Sequence, residues 1–194
     1  MCPSRERPEL LARSVKSLRD RAAGEIEILV AADGDDLPTI GMAAAVADVA
    51  MVIQPRAGYE RLHVYYQELS DRATGDWLLI WGDDCVMCTD RWDEIIEALP
   101  PEVLVANLAS TYTPLCCFPA VRRTAADALG RFSSDNPHVD TFWGDIGTWA
   151  GVIQGVGVFV SAESPIRGQP GNFYEPEHQA EMQKCAQQLR GLVT

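Results

Sequence analysis

The chain has 194 residues, 47% of them hydrophobic and 23% charged, which is enough length and apolar content for one domain with a sizeable core. Its formal charge of −12 argues against a phosphate-backbone binder, because such proteins draw their affinity from clustered Lys and Arg, so nucleic acid is not an expected partner. No stretch reaches the roughly 20 apolar residues of a membrane span, and residues 1–7 carry no apolar signal segment, so a soluble, cytoplasmic protein without a transmembrane segment is expected.

The chain opens on the loop Pro3-Ser4-Arg5-Glu6-Arg7-Pro8, with nothing ahead of it to serve as a strand. Pro8 sits where the first turn of a helix tolerates proline, and Leu11, Val15 and Leu18 share one face of that helix. Residues 26–32 are apolar and read as a strand, stopped by Asp33-Gly34-Asp35-Asp36, a turn rich in acid. A short Ala-rich helix over 39–47 leads to a strand over 49–53. Tyr59, Leu62, Tyr66, Leu69 and Ala73 then fall on one helical stripe, which Thr74-Gly75 closes. Residues 76–84 form an apolar strand that runs straight into Gly82-Asp83-Asp84. The order α, β, α, β, α, β predicts a mainly parallel sheet.

Beyond it the pattern gives a helix over 90–99 stopped by Pro100-Pro101, a strand over 103–108, a short strand over 116–120 and a helix over 124–129 ending at Gly130. Residues 132–149 read as an irregular mixture of aromatic, acidic and turn residues. A strand over 155–160 and a polar helix over 175–189 complete the chain. There is no repeat, low-complexity tract or clear linker.

An apolar strand must be buried, whereas two adjacent carboxylates cannot both be buried unpaired, so residues 76–84 have to open onto water, a cation or a ligand. Asp83 and Asp84 are suited to a divalent cation, since hard Mg²⁺ or Mn²⁺ prefers oxygen ligands and leaves part of its shell to diphosphate and water. An exposed acidic turn is the competing reading. Asp33 ends a second strand, on the same edge if the sheet is parallel, where a carboxylate can accept from a base N–H or ribose hydroxyls; a solvated turn competes there too.

Ser4, Arg5 and Arg7 precede a helix N-terminus, a place where phosphate binds, and Arg56 follows the 49–53 strand as a further nucleotide contact. An ordinary surface loop is the competing account, and the better one when these residues are taken alone. Asp140 and Asp145 flank the aromatics Phe142 and Trp143, surroundings that can raise a carboxyl pKa toward that of a general base and stack a sugar ring. Their alternative is a pair of loop acids beside structural aromatics. Cys85-Val86-Met87-Cys88 and Cys116-Cys117 do not have zinc-ligand spacing, and six cysteines without a regular framework suit free thiols in a reducing compartment. His63 reads as a packing residue, while His138 and His178 are available as a third metal ligand.

Together, Pro-Ser-Arg-x-Arg-Pro before a helix, Ile-Leu-Val-Ala-Ala-Asp-Gly at a strand end, and Ala-Thr-Gly-Asp-Trp-Leu-Leu-Ile followed by Gly-Asp-Asp make a recognisable set. They resemble the glycosyltransferase family 2-like enzymes with the type A fold, over residues 3–149 and most closely over 75–84. The resemblance implies a Rossmann-like, three-layer α/β/α fold of the nucleotide-diphospho-sugar transferase type, with a nucleotide-binding half over 1–90 and an acceptor-side half over 91–194. It places Pro3, Ser4, Arg5, Arg7, Asp33, Arg56 and Asp83 at the nucleotide. Asp84 becomes the likelier metal ligand with Asp83 beside it, and Asp145 the base that deprotonates the acceptor.

The sequence departs from that pattern at Gly82, where the first Asp of Asp-x-Asp is usual, at Ala32 in place of an acid, at Gln67 in place of Asn, and in lacking the N-terminal strand. The expected activity is transfer of a sugar from a nucleoside-diphosphate sugar to an unknown acceptor with Mn²⁺ or Mg²⁺, by inversion. A catalytically inactive sugar- or nucleotide-sugar-binding module and a nucleotidyltransferase are the two rival readings.

Overall fold

A computed structural model describes residues 1–112, 115–163 and 176–193. The chain begins with β1 (Cys2–Ser4), α1 (Pro8–Arg21), β2 (Leu29–Asp33), α2 (Leu37–Val46) and β3 (Val49–Ile53). These strands form a parallel sheet in the order β1-β2-β3. After a 3-10 turn at Tyr59–Arg61 come α3 (Leu62–Arg72), β4 (Trp77–Leu79), β5 (Cys85–Met87), α4 (Trp92–Glu97), β6 (Val105–Ser110), β7 (Pro119–Arg122), α5 (Arg123–Leu129), α6 (Val139–Ala150), β8 (Ile153–Ala162) and α7 (Pro176–Arg190).

The second sheet has the order β4-β7-β6-β8-β5 and is mixed: only β6 and β8 are parallel neighbours. The parallel arrangement expected from the early element order holds for β1 to β3 and again for β6 and β8, and is broken by the antiparallel pairings of β7 with β4 and β6. The cause of the break is the return of β7 by a short connection between β4 and β6, which forces both pairings antiparallel.

A strand does precede the Ser4–Arg7 loop, contrary to the sequence reading. It is only three residues long, too short to register as an apolar run. Its position is nonetheless central. The Met1 nitrogen donates to the Leu79 carbonyl at 3.0 Å, and Trp81 N–H donates to the Met1 carbonyl at 3.1 Å, the slanted pattern of parallel strands. These two bonds join the sheets, placing β1 between β2 and the end of β4.

Alternation along the strands feeds two cores. Leu29, Ala31, Leu78, Ile80, Val105 and Val121 face α3, α5, α6 and α7. Val30, Trp81, Ala106, Ala120 and Val158 face α1 and α4. Both faces of the sheet are covered, which is the three-layer α/β/α arrangement. Helix α1 shows how local sequence supports it: Pro8 lies in the first turn, and Leu11, Val15 and Leu18 are all buried, each contributing about 1.5–3 kcal/mol of transfer free energy.

The largest difference from the sequence reading is residues 132–149, most of which are the helix α6. Gly144 and Gly147 lower its intrinsic propensity, but each lies at a close approach. A Cβ on Gly144 would meet the Cys116 Cβ at 2.9 Å, and one on Gly147 would meet Ile153 and Val105 at 3.2 and 3.3 Å. Tertiary packing selects the glycines that made the segment look irregular. The strand expected over 76–84 is likewise shorter, and the polar helix expected from 175 starts at Pro176, residue 175 lying outside the described residues.

Candidate functional site

The site is organised by the loop from Ser4 to Arg7 that joins β1 to α1. Glu6 holds φ 56°, in the left-handed region where a non-glycine residue is strained. Asp36 stabilises that conformation: its carboxylate accepts the Glu6 N–H at 2.6 Å and also caps α2 through the Thr39 N–H at 3.3 Å. Burial raises the Asp36 carboxyl, but the bonds from Thr39 and Glu6 outweigh it and leave the pKa below the usual value. The turn at Glu6 sends Arg5 and Arg7 in different directions along the edge.

Arg5 goes to the end of β2. Its Nη1 lies 2.9 Å from Asp33 Oδ2 and 2.6 Å from Asp35 Oδ1, and the guanidinium lowers the Asp35 pKa. Asp33 is 1% exposed and holds further partners: Tyr65 donates its hydroxyl proton to Oδ1, and Arg56 Nε stands 3.8 Å from Oδ2. The expected nucleotide contacts Arg5, Asp33 and Arg56 are thus one cluster.

Arg7 goes to the corner after β4, where Nη1 lies 3.4 Å from Asp83 Oδ1 and 3.2 Å from Asp84 Oδ2. Ser4 donates to Asp83 Oδ2 at 2.8 Å. Burial pushes the Asp83 pKa up, and the neighbouring Asp84 charge adds to this; Ser4 and Arg7 oppose the rise without cancelling it. Pro3 makes no side-chain contact of this kind and serves as the middle residue of β1, in register with Ala31. The two acidic strand ends do share an edge, bridged by a single arginine-bearing loop.

Gly82 has a geometric reason. A Cβ there would meet Cys85 Sγ at 2.9 Å and Asp84 Oδ1 at 3.1 Å, so any side chain in its place would have to shift Cys85 and crowd the Asp84 carboxylate. The Gly82 carbonyl accepts from the Ser14 hydroxyl at 2.9 Å, Ser14 accepts from the Trp81 indole at 2.7 Å, and Tyr66 donates to the Trp81 carbonyl at 3.1 Å. Helices α1 and α3 therefore clamp the backbone that carries Asp83 and Asp84.

Asp145 lies on α6 and burial raises its pKa. Burial raises Asp140 on the same helix as well, more than its bonds with Thr141 lower it. Cys116 and Cys117, both pushed up to about 12 chiefly by burial, lie within electrostatic reach of Asp140, and Tyr112 is in turn within reach of Cys117 and Asp84. This series connects the corner after β4 to α6. The six cysteines are free in the structure, Cys2, Cys85 and Cys185 buried and Cys88 exposed.

Among the described residues no third His, Cys, Asp or Glu joins Asp83 and Asp84 as a metal-holding group. His178 Nε2 lies 2.7 Å from Asn136, and its Nδ1 is 3.9 Å from Glu181, while His138 begins α6. Neither is a third ligand alongside the pair. The donor chemistry still suits Mg²⁺ or Mn²⁺, which needs only one or two carboxylates when diphosphate and water complete the shell.

The parts that Tyr65, Ser14, Tyr66 and Asp36 play at the site escaped the sequence reading. Two consecutive tyrosines in an otherwise amphipathic helix were the available signal, because a buried phenol requires a hydrogen-bond partner. Ser14, fully buried in the apolar face of α1, gave none.

The glycosyl transferase family 2 model matches residues 2–133, a span that contains both acidic strand ends and stops short of Asp145. No curated protein matches the chain. Among solved structures, a mannosyltransferase from Pyrobaculum calidifontis in complex with GDP-Man and Mn²⁺ superposes with a TM-score of 0.66 at 14% identity, over 86% of this chain and 56% of that one. The chain thus spans little more than half of that enzyme's length. Glucosyl-3-phosphoglycerate synthase from Mycobacterium tuberculosis, in complex with Mn²⁺, UDP and phosphoglyceric acid, gives 0.65 at 12% identity over 97% and 74%. TarS from S. aureus gives 0.59 at 10% over 84% and 57%. At these identities the likeness establishes the fold. No helix among the described residues is long and apolar enough to cross a membrane.

Proposed function

Since the chain belongs to glycosyl transferase family 2, we propose that it transfers a sugar from a nucleoside-diphosphate donor to an acceptor hydroxyl, with residues 1–90 holding the donor and 91–194 serving the acceptor. The observation that carries this reading is the convergence of Asp33 and the Asp83-Asp84 corner on the Ser4–Arg7 loop. One end suits a nucleoside and the other a diphosphate with a divalent cation, and the mannosyltransferase and the synthase of the same fold were solved with Mn²⁺ and such nucleotides.

Asp84, with Asp83 beside it, would hold the Mn²⁺ or Mg²⁺. When bound, that ion supplies positive charge against the negative charge building on the departing diphosphate. Arg5, Arg56 and Asp33 bind and orient the nucleoside, and Arg7 is placed to exchange its carboxylate partners for diphosphate oxygens. At Asp145 the raised pKa suits proton acceptance from the acceptor hydroxyl. In a single in-line displacement the acceptor oxygen bonds to the anomeric carbon as the bond to diphosphate breaks. The electron pair leaves with the diphosphate and the proton goes to Asp145, while attack from the side opposite the diphosphate inverts the anomeric centre.

Isothermal titration with UDP and GDP tests the donor site: at least one should bind more tightly with Mn²⁺ than with EDTA, and equal affinity for both would remove the cation from the reading. Asp145→Asn should preserve donor binding and lower transfer or donor hydrolysis by about 10²–10⁴-fold, the usual contribution of a general base. Because the base must be deprotonated, wild-type turnover should be lost as pH falls through the raised Asp145 pKa. Metal-dependent binding by a protein that turns over no donor would instead identify a binding module on this fold.

A further inference from the structure

We infer that Tyr65 is a positioning residue for nucleoside recognition, tying the Arg56-bearing turn after β3 to Asp33. This rests on the donor-site reading and extends it to a residue outside the acidic and arginine sets. Tyr65 lies on α3 and is 5% exposed. Its hydroxyl has one proton and accepting lone pairs, and the structure uses both capacities: the proton goes to Asp33 Oδ1, and the oxygen accepts from Gly58 N–H at 2.9 Å. Gly58 has φ 73°, a conformation that a side chain resists, so the turn reaches Tyr65 through its backbone.

The direction of the bonds gives the consequence. With Oδ1 occupied by Tyr65, and Oδ2 facing Arg5 at 2.9 Å and Arg56 at 3.8 Å, the plane of the Asp33 carboxylate is fixed. A base N–H is left only the remaining lone-pair directions. The same hydroxyl holds residues 56–58 over Asp33, so the turn and the carboxylate move as a unit. Arg7, Ser4, Asp83 and Asp84 bond to one another at the other end of the loop, the diphosphate end of the donor-site reading. Tyr65 therefore acts on the nucleoside and not on the phosphates.

Two probes separate the ends: UDP or GDP, which engage both, and inorganic pyrophosphate, which engages only the second, all with Mn²⁺. Tyr65→Phe removes one oxygen and keeps the ring that packs against the sheet. In calorimetry it should weaken the nucleoside diphosphate about tenfold, the usual cost of one buried hydrogen bond, and leave pyrophosphate affinity within about twofold. An unchanged nucleotide affinity, or an equal loss for both probes, overturns the inference. If the wild-type protein binds neither nucleotide, the donor-site reading fails instead. A measurement on unmutated protein covers the case of a misfolded variant: the Tyr65 ζ-carbon resonance should move with the nucleotide and stay still with pyrophosphate. Movement with pyrophosphate alone counts against the inference.

Discussion

The two acidic strand ends share a loop but differ in how their charge is balanced. After β2, Arg5 lowers the Asp35 pKa, the Asp36 pKa is lowered against burial by bonds from Thr39 and the Glu6 N–H, and Asp33 is enclosed by Arg5, Arg56 and Tyr65. After β4, burial and the adjacent Asp84 raise the Asp83 pKa in spite of Ser4 and Arg7. The carboxylates of the first end share two guanidiniums and a phenol, whereas at the second Asp83 and Asp84 share one guanidinium, a relative deficit of positive charge. A polar site whose partners are complete is preorganised to present fixed acceptors, whereas one with a deficit is built to gain a cation. The difference fits the proposed division between a nucleoside end and a diphosphate end.

Removing the carboxylate on the deficient side should have the largest effect. Asp84→Ala is expected to abolish the Mn²⁺ dependence of nucleotide binding, a loss of at least the roughly 10–100-fold that follows when only a supporting contact to a metal ligand is deleted. Calorimetry with and without Mn²⁺ checks this, and persistence of the dependence would place the cation elsewhere. Ser14→Ala tests the backbone beneath the same corner. It takes the partner from the buried Trp81 indole and the donor from the Gly82 carbonyl, at a cost of about 1–3 kcal/mol. The melting temperature should fall by several degrees, and an unchanged value would show that the clamp contributes nothing.

The sequence made this contrast only partly legible. Asp33, Asp83 and Asp84 were readable because apolar strands ending in acid leave few ways to satisfy buried charge, and Arg5 and Arg7 because they precede a proline-started helix. What could not be read was pairing. Nothing local distinguishes Arg5, which crosses to β2, from Arg7, which crosses to the corner after β4; the left-handed turn at Glu6 decides that, and it depends on Asp36, some thirty residues away. Helix α6 was hidden for a similar reason, since Gly144 and Gly147 answer to Cys116, Val105 and Ile153 and not to their own neighbours. The three-residue β1 was invisible because its strand character comes from β2 and the Leu79–Trp81 backbone on either side. Periodicity reports one element's buried face; it does not report which distant groups complete it.

The smallest effect should come from Arg7, and it bears most directly on the contrast. If Arg7 stands in for a cation at the deficient end, Arg7→Ala should raise the affinity for Mn²⁺ alone a few-fold while weakening pyrophosphate. The pH dependence gives the sign an independent check. A proton on Asp83 competes with Mn²⁺, so metal affinity should fall as pH drops through the raised Asp83 pKa. Arg7 works to lower that pKa, so removing it should move the fall to higher pH. Titrating Mn²⁺ into both proteins from about pH 4 to 7, a range that brackets a carboxyl raised above its usual value near 4, distinguishes the cases. A midpoint that stays in place would mean that burial and Asp84 alone set the deficit, and that Arg7 is a bystander at a site open to metal from the start.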